Sequence, residues 1–188
     1  MHGLFIHNLN IEYASGFNMA LWTIALQFQF YLLFPLFLWL LFRTGPAGLA
    51  LVVMGLELMY RSFIWASISD DWHLNYFFAY APPGRMFEFA AGMVIASLIR
   101  SSVWQFDSGK IRWGAMAMVL LPGTLAWQIS RDPGRLHPAV DVLWAFCIGG
   151  LMLLGFSAAL WRRVLESRIL RFCGVCSYSV FLVHHPVG

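Results

Sequence analysis

Apolar residues run through this chain in six long stretches separated by short polar breaks. The stretches cover roughly 19–42, 47–66, 84–100, 112–130, 138–161 and 170–188. Each is long enough to predict a membrane-crossing helix rather than a strand. Turn chemistry divides them: Thr44-Gly45-Pro46 ends the first, Pro82-Pro83-Gly84 precedes the third, and Asp132-Pro133-Gly134 with His137-Pro138 frames the fifth. The connection at 67–83 is the longest and carries Trp72, Tyr76, Phe77, Phe78 and Tyr80, a composition suited to a membrane interface. The expected fold is therefore all-α, a polytopic transmembrane helical bundle of about six spans. It forms one domain over residues 1–188, with no internal repeat.

The first stretch is not uniformly apolar. Thr23, Gln27 and Tyr31 recur at i, i+4 and i+8, which places them within roughly 80° of one another on a helix. Gln29 points nearly the opposite way. Asn18 stands where an N-cap belongs, and Pro35 is expected to interrupt the helix four residues after Tyr31. Polar side chains at membrane depth either bond neighbouring helices or line a path.

Composition agrees with a membrane protein. Of 188 residues, 60% are hydrophobic and 11% charged, against about 25% charged in soluble domains. The formal net charge of +3 does not point to nucleic acid, because the basic residues lie between apolar stretches rather than on one face. Their distribution does set an orientation. Eight of the 12 Lys and Arg follow stretches one, three and five: Arg43; Arg100, Lys110 and Arg112; Arg162, Arg163, Arg168 and Arg171. By the positive-inside rule that side is cytoplasmic, and the 67–83 and 131–137 connections face outward. Residues 1–18 then also face outward and show no secretory signal, so translocating helices are expected to precede Met1.

The titratable residues inside the stretches narrow the chemistry. Glu57 and Arg61, at i and i+4, predict a structural ion pair. Arg85 and Glu88, at i and i+3, open the third helix, and Glu88, Gly92 and Ala96 share a face. Arg85 suits an anionic group or the orientation of Glu88. On the last helix Ser177 shares a face with His184, and Tyr178 with His185. The two adjacent histidines point about 100° apart and are poorly placed to chelate one ion. Cys173-Gly-Val-Cys176 stands alone, without a second C-x-x-C, and Cys147 lies in an apolar run, so no metal site is expected. No G-x-S-x-G elbow is present.

Three stretches carry a resemblance. LWTIALQFQFYLLFPLF (21–37) resembles the Trp-Ser/Thr-Leu/Ile-x-x-Glu-x-x-Phe-Tyr-Leu-x-Phe-Pro segment of the acyltransferase 3 family of bacterial integral-membrane O-acyltransferases. PPGRMFEFAAGMVIA (82–96) is similar to that family's Arg-x-x-Glu-Phe-x-x-Gly helix start, and LRFCGVCSYSVFLVHHPV (170–187) to its closing Ser-Tyr-Ser helix. They occur in the family's order. One position departs: Gln27 stands where the family usually has Glu, which removes an acid or base there and keeps a hydrogen-bonding group.

The resemblance implies transfer of an acyl group, often acetyl, from an acyl-CoA donor to a hydroxyl of a saccharide or other envelope molecule, in the bacterial inner membrane and with no metal. It implies that Trp22, Gln27, Tyr31, Arg85, Glu88 and Tyr178 line the substrate path. The family's Arg and His on its first helix, and its Phe-Phe-x-x-Ser-Gly segment, are not found in this sequence, so the resemblance assigns no catalytic residue in it; His184 is a candidate, beside a structural or substrate-lining use of the two histidines. The chain is then expected to be the C-terminal portion of a domain of about ten helices. Its partners would be the bilayer, the acceptor and a possible second membrane chain carrying the missing half, with no nucleic acid. Two other readings use the same residues. A transporter-like module would line a route with Glu57 and the polar stripe, and a non-catalytic module would pack against another membrane protein.

Overall fold

The computed structural model describes residues 21–68, 71–101, 109–131, 137–157 and 163–187. Every regular element among them is helical. In chain order these are α1 (Leu21–Ser67), α2 (Asp71–Tyr80), a 3₁₀ turn (Pro82–Gly84), α3 (Met86–Arg100), α4 (Gly109–Arg131), a second 3₁₀ turn (His137–Ala139), α5 (Val140–Ser157) and α6 (Arg168–Val187). The expected Asn18 cap and the Asp132-Pro133-Gly134 turn lie outside the described residues.

Straight, the 47 residues of α1 would reach about 70 Å, more than twice the ~30 Å of a bilayer core. The helix instead folds back at Gly45, whose φ of 74° and ψ of 177° lie in a region essentially confined to glycine. The reversal is visible in what the two arms touch. Trp22, on the first arm, packs 4.7 Å from the Tyr80 ring of α2. Tyr60, on the second arm, donates to the Phe77 carbonyl of that same short helix at 3.5 Å. Each arm retains enough residues to cross an apolar layer. Pro35 does not interrupt the first arm as expected. Gly45 alone departs from helical geometry within α1, and Pro35 only withdraws the N–H that the Tyr31 carbonyl would have received.

The helices alternate in direction. The first arm and α3 run parallel, with Phe89 of α3 stacked 5.0 Å from Phe30 and 5.7 Å from Phe37. These rings sit in a core with Leu26, Leu49, Val53, Ala90 and Ala145. Antiparallel α4 and α5 close on small residues. A Cβ on Gly150 would lie 2.8 Å from the Ala115 carbonyl, and one on Gly123 would lie 3.3 Å from Cys147 Sγ. Such seams let backbones approach without bulk between them. The described part of α6 stands off this bundle, with Phe172 at 69% and Val175 at 80% exposure.

Two helices among the described residues are long and apolar enough to cross a membrane, Trp22–Ser67 and Val140–Ser157. The other described helices are shorter or less apolar.

Candidate active site

The polar chemistry of the bundle gathers where α1 ends and α3 and α5 begin. Arg61 is the hub and is 1% exposed. Its Nε donates to Glu57 Oε1 at 3.1 Å, the i,i+4 pair that the spacing predicts. Its Nη1 lies 2.6 Å from Asp141 Oδ2, at the first turn of α5. Its Nη2 donates to the Gly84 carbonyl in the turn before α3. The guanidinium lies 5.0 Å from the centre of the Phe78 ring, close enough for cation–π attraction. One side chain therefore ties the second arm of α1 to three other elements.

Glu57 is fully buried and bridges in the other direction. Its Oε2 accepts from the Phe87 backbone N–H at 2.7 Å. That amide belongs to the first turn of α3, where helix N–H groups lack intrahelical partners and negative charge is favoured. The carboxylate thus fixes where α3 starts. The preceding turn packs flush on the end of α2: a Cβ on Gly84 would fall 2.6 Å from the Phe78 carbonyl.

This framework holds Arg85 and Glu88 at the rim. They pair at 2.5 Å between Nη1 and Oε1, with 25% and 38% of their side chains exposed. Arg85 Nε is buried and has no hydrogen-bond partner. Glu88 borders a cleft of about 120 Å³ between α3 and α5, walled by Ala91, Gly92, Ala145 and Gly149. A donor edge, a carboxylate and a small apolar cleft can together hold a hydroxyl-bearing group and a short acyl group.

The other expected site residues fall elsewhere. Trp22 is half-buried at this same end, against Tyr80, which stacks on Tyr76 at 5.1 Å. Burial pushes the Tyr76 phenol up to about 12, with the neighbouring Tyr80 adding to it. Gln27 and Tyr31 face away from the bundle, Tyr31 at 69% exposure. The side chains of Tyr178, His184 and His185 lie outside the described residues. Ser177 is exposed and donates to the Gly174 carbonyl at 2.7 Å. The histidine pair therefore has no described geometry. Among the described residues no three metal-ligating side chains cluster.

Two members of the network were not singled out in the sequence. Asp141 is the only acid in the 140–157 helix, and an acid opening a strongly apolar helix is itself a signal that it has a cationic partner. The Phe87 amide carries no side-chain signature at all.

A family model for an acyltransferase domain matches residues 3–188. The acyltransferase MdmB of Streptomyces mycarofaciens is 34% identical over 184 residues, which is 92% of this chain and 46% of that protein. The peptidoglycan O-acetyltransferase OatA of Listeria monocytogenes is 25% identical over 201 residues, 95% of this chain and 30% of that protein. The chain thus spans less than half the length of either relative. No solved structure matches it. With the match running through the whole bundle just described, the chain belongs to the acyltransferase 3 family of acyltransferase domains.

Proposed function

We propose that this chain is part of an inner-membrane O-acyltransferase. It would move an acyl group, commonly acetyl, from a coenzyme A thioester to a hydroxyl of a saccharide or another envelope molecule. The observation that carries the reading is the family match over residues 3–188. MdmB and OatA are both named for acyl transfer, and OatA for O-acetylation of peptidoglycan, a saccharide polymer.

Topology supports five of the six expected crossings. The two arms of α1, then α3, α4 and α5, alternate in direction. Arg43 and Arg100 fall at the Gly45 end, whereas Arg61, Arg85 and Asp141 gather at the opposite one. By the positive-inside rule the Gly45 end is cytoplasmic and the Arg85–Glu88 rim faces outward.

In this reading Arg85 and Glu88 bind the acceptor. The exposed part of the Arg85 guanidinium donates to an acceptor oxygen and Glu88 accepts from a hydroxyl, while Trp22 stands at the same end of the bundle against Tyr80. Acyl transfer also requires a base for the attacking hydroxyl and donors for the oxyanion. Those groups are assigned to the part of the relatives' length that this chain does not span. The test is transfer of label from acetyl-CoA to a peptidoglycan fragment in membranes. The 188 residues alone should give none, and co-expression with the unmatched part of MdmB should restore it. Transfer by the chain alone would refute the division of labour. No transfer under either condition, with acceptor uptake into liposomes, would replace the enzyme by a transporter.

A further inference from the structure

The Gly45 end holds a second cavity, unconnected with the Arg85–Glu88 rim. It is a groove of about 550 Å³ between the first arm of α1 and the C-terminal half of α3. Phe34, Leu38 and Phe42 form one wall, Met93 and Ala96 the other, and Arg100 closes it. The first-arm residues recur at i, i+4 and i+8, so the groove follows the helix for roughly 12 Å. One leaflet of a bilayer core is about 15 Å deep. Arg100 lies in the last turn of α3, is exposed, and has no ion-pair partner among the described residues. Arg43 lies at the same end, with its guanidinium over Trp39 at 5.4 Å.

We propose that this groove binds an anionic phospholipid of the cytoplasmic leaflet, with one acyl chain along the Phe34–Phe42 wall and the phosphate on Arg100. Charge complementarity selects this occupant. A guanidinium at the interface with no ion-pair partner among the described residues favours an anionic headgroup, and the walls offer a tail mostly apolar contact, the Ser97 hydroxyl among them being spent on the Val94 carbonyl. The length of the groove fits a tail that enters from the leaflet. Donor chemistry does not require the site, which lies at the opposite end of the bundle from Glu88. The inference rests on the membrane reading and on the orientation set by the basic residues.

Native mass spectrometry of the detergent-purified chain, mixed with phosphatidylglycerol or phosphatidylcholine, tests it. One phosphatidylglycerol should be retained in preference to phosphatidylcholine. Arg100→Gln, at an exposed position, should weaken that preference about fivefold, the value of ~1 kcal/mol per interfacial cation. Ala96→Phe, which fills the groove and keeps Arg100, should abolish retention. Equal retention of both lipids, or an unchanged preference in Arg100→Gln, would overturn the site. So would displacement of phosphatidylglycerol by equimolar palmitoyl-CoA, which would make the groove a thioester site. Release of the chain from membranes by alkaline carbonate would overturn the membrane reading as well. A chain that stays in the membrane yet shows no preference would overturn the lipid site alone.

Discussion

Two polar stripes run along the two arms of the same helical hairpin, and they have opposite fates. On the second arm, Glu57 and Arg61 are buried and every charged edge finds a partner: each other, Asp141, the Gly84 carbonyl and the Phe87 amide. On the first arm, Gln27 and Tyr31 face outward and have no partner among the described residues. Glu57 and Arg61 sit where water is excluded. A charge in that setting must be paired or it forfeits several kcal/mol, so the charged stripe is the one that the bundle folds around. An amide or a phenol tolerates exposure at smaller cost, so it can be left on an open face. Spacing alone does not separate these cases, because i,i+4 periodicity reports a shared face and not what covers it.

The largest effect should come from breaking the charged stripe. Arg61→Met leaves Glu57 buried without its cation and should destabilise the chain by about 3–5 kcal/mol. Thermal or denaturant unfolding of the purified chain in detergent, followed by helicity, reads this. The double change Glu57→Met with Arg61→Met should recover part of that loss, leaving about 1–3 kcal/mol for the unmet Phe87 amide, the unmet Gly84 carbonyl and Asp141 without its cation. If the double variant is as unstable as the single one, the network holds more than charge, and the comparison between the stripes fails.

Next in size is the hinge that puts both stripes on one bundle. A Cβ at Gly45 would meet no atom within 4 Å, so any penalty there is backbone strain and not crowding. Gly45→Ala should cost about 1–3 kcal/mol for that reason. Gly48→Ala would instead push against the Thr44 side chain, 2.4 Å from the new Cβ. A neutral Gly45→Ala would mean that the arms hold their antiparallel arrangement without the hinge.

The break at Gly45-Pro46 was legible because Thr-Gly-Pro is punctuation wherever it falls, and the Glu57–Arg61 pair because its two members are one helical turn apart. Asp141 was not. It lies eighty positions along the chain from Arg61, and no local rule joins them. The bond from the Phe87 amide to Glu57 left no trace because any residue supplies a backbone N–H. Pro35 misled for a related reason. Proline removes one donor, but the helix passes through when packing on either side, here Phe30 and Phe37 against Phe89, holds its course. The 67–83 connection looked like an interfacial loop from its aromatics. Ten of its residues form α2, which buries Tyr76 and Phe78 rather than presenting them.

That burial gives a smaller, spectroscopic effect. The Tyr76 phenol should ionise near 12 rather than near 10. Its folded-state value is raised, so the stabilising contribution is complete below about pH 10 and is lost as pH climbs towards 12. Difference absorbance of phenolate during an alkaline titration, compared with Tyr76→Phe, isolates it. If Tyr76 ionises with the exposed tyrosines, α2 is not packed on the bundle as described, and the Arg61–Phe78 contact loses its support.

The smallest expected effect is also the one that sharpens the comparison most. In the isolated chain, Gln27→Leu and Tyr31→Phe remove polar groups that touch nothing described. Each should shift stability by no more than about 0.6 kcal/mol, the size of an average interhelical hydrogen bond in a membrane protein, and apolar replacement of Gln27 should be neutral or favourable. Repeating the pair with the unmatched part of MdmB present separates the two uses that a polar stripe can have. If the outer face meets helices from that part, both substitutions should become costly and act non-additively, because they share one partner surface. If the stripe instead lines a substrate path, stability should stay flat while transfer to the acceptor falls. A stripe that responds in neither way simply faces lipid, and Gln27 then carries no role in this chain beyond covering that face.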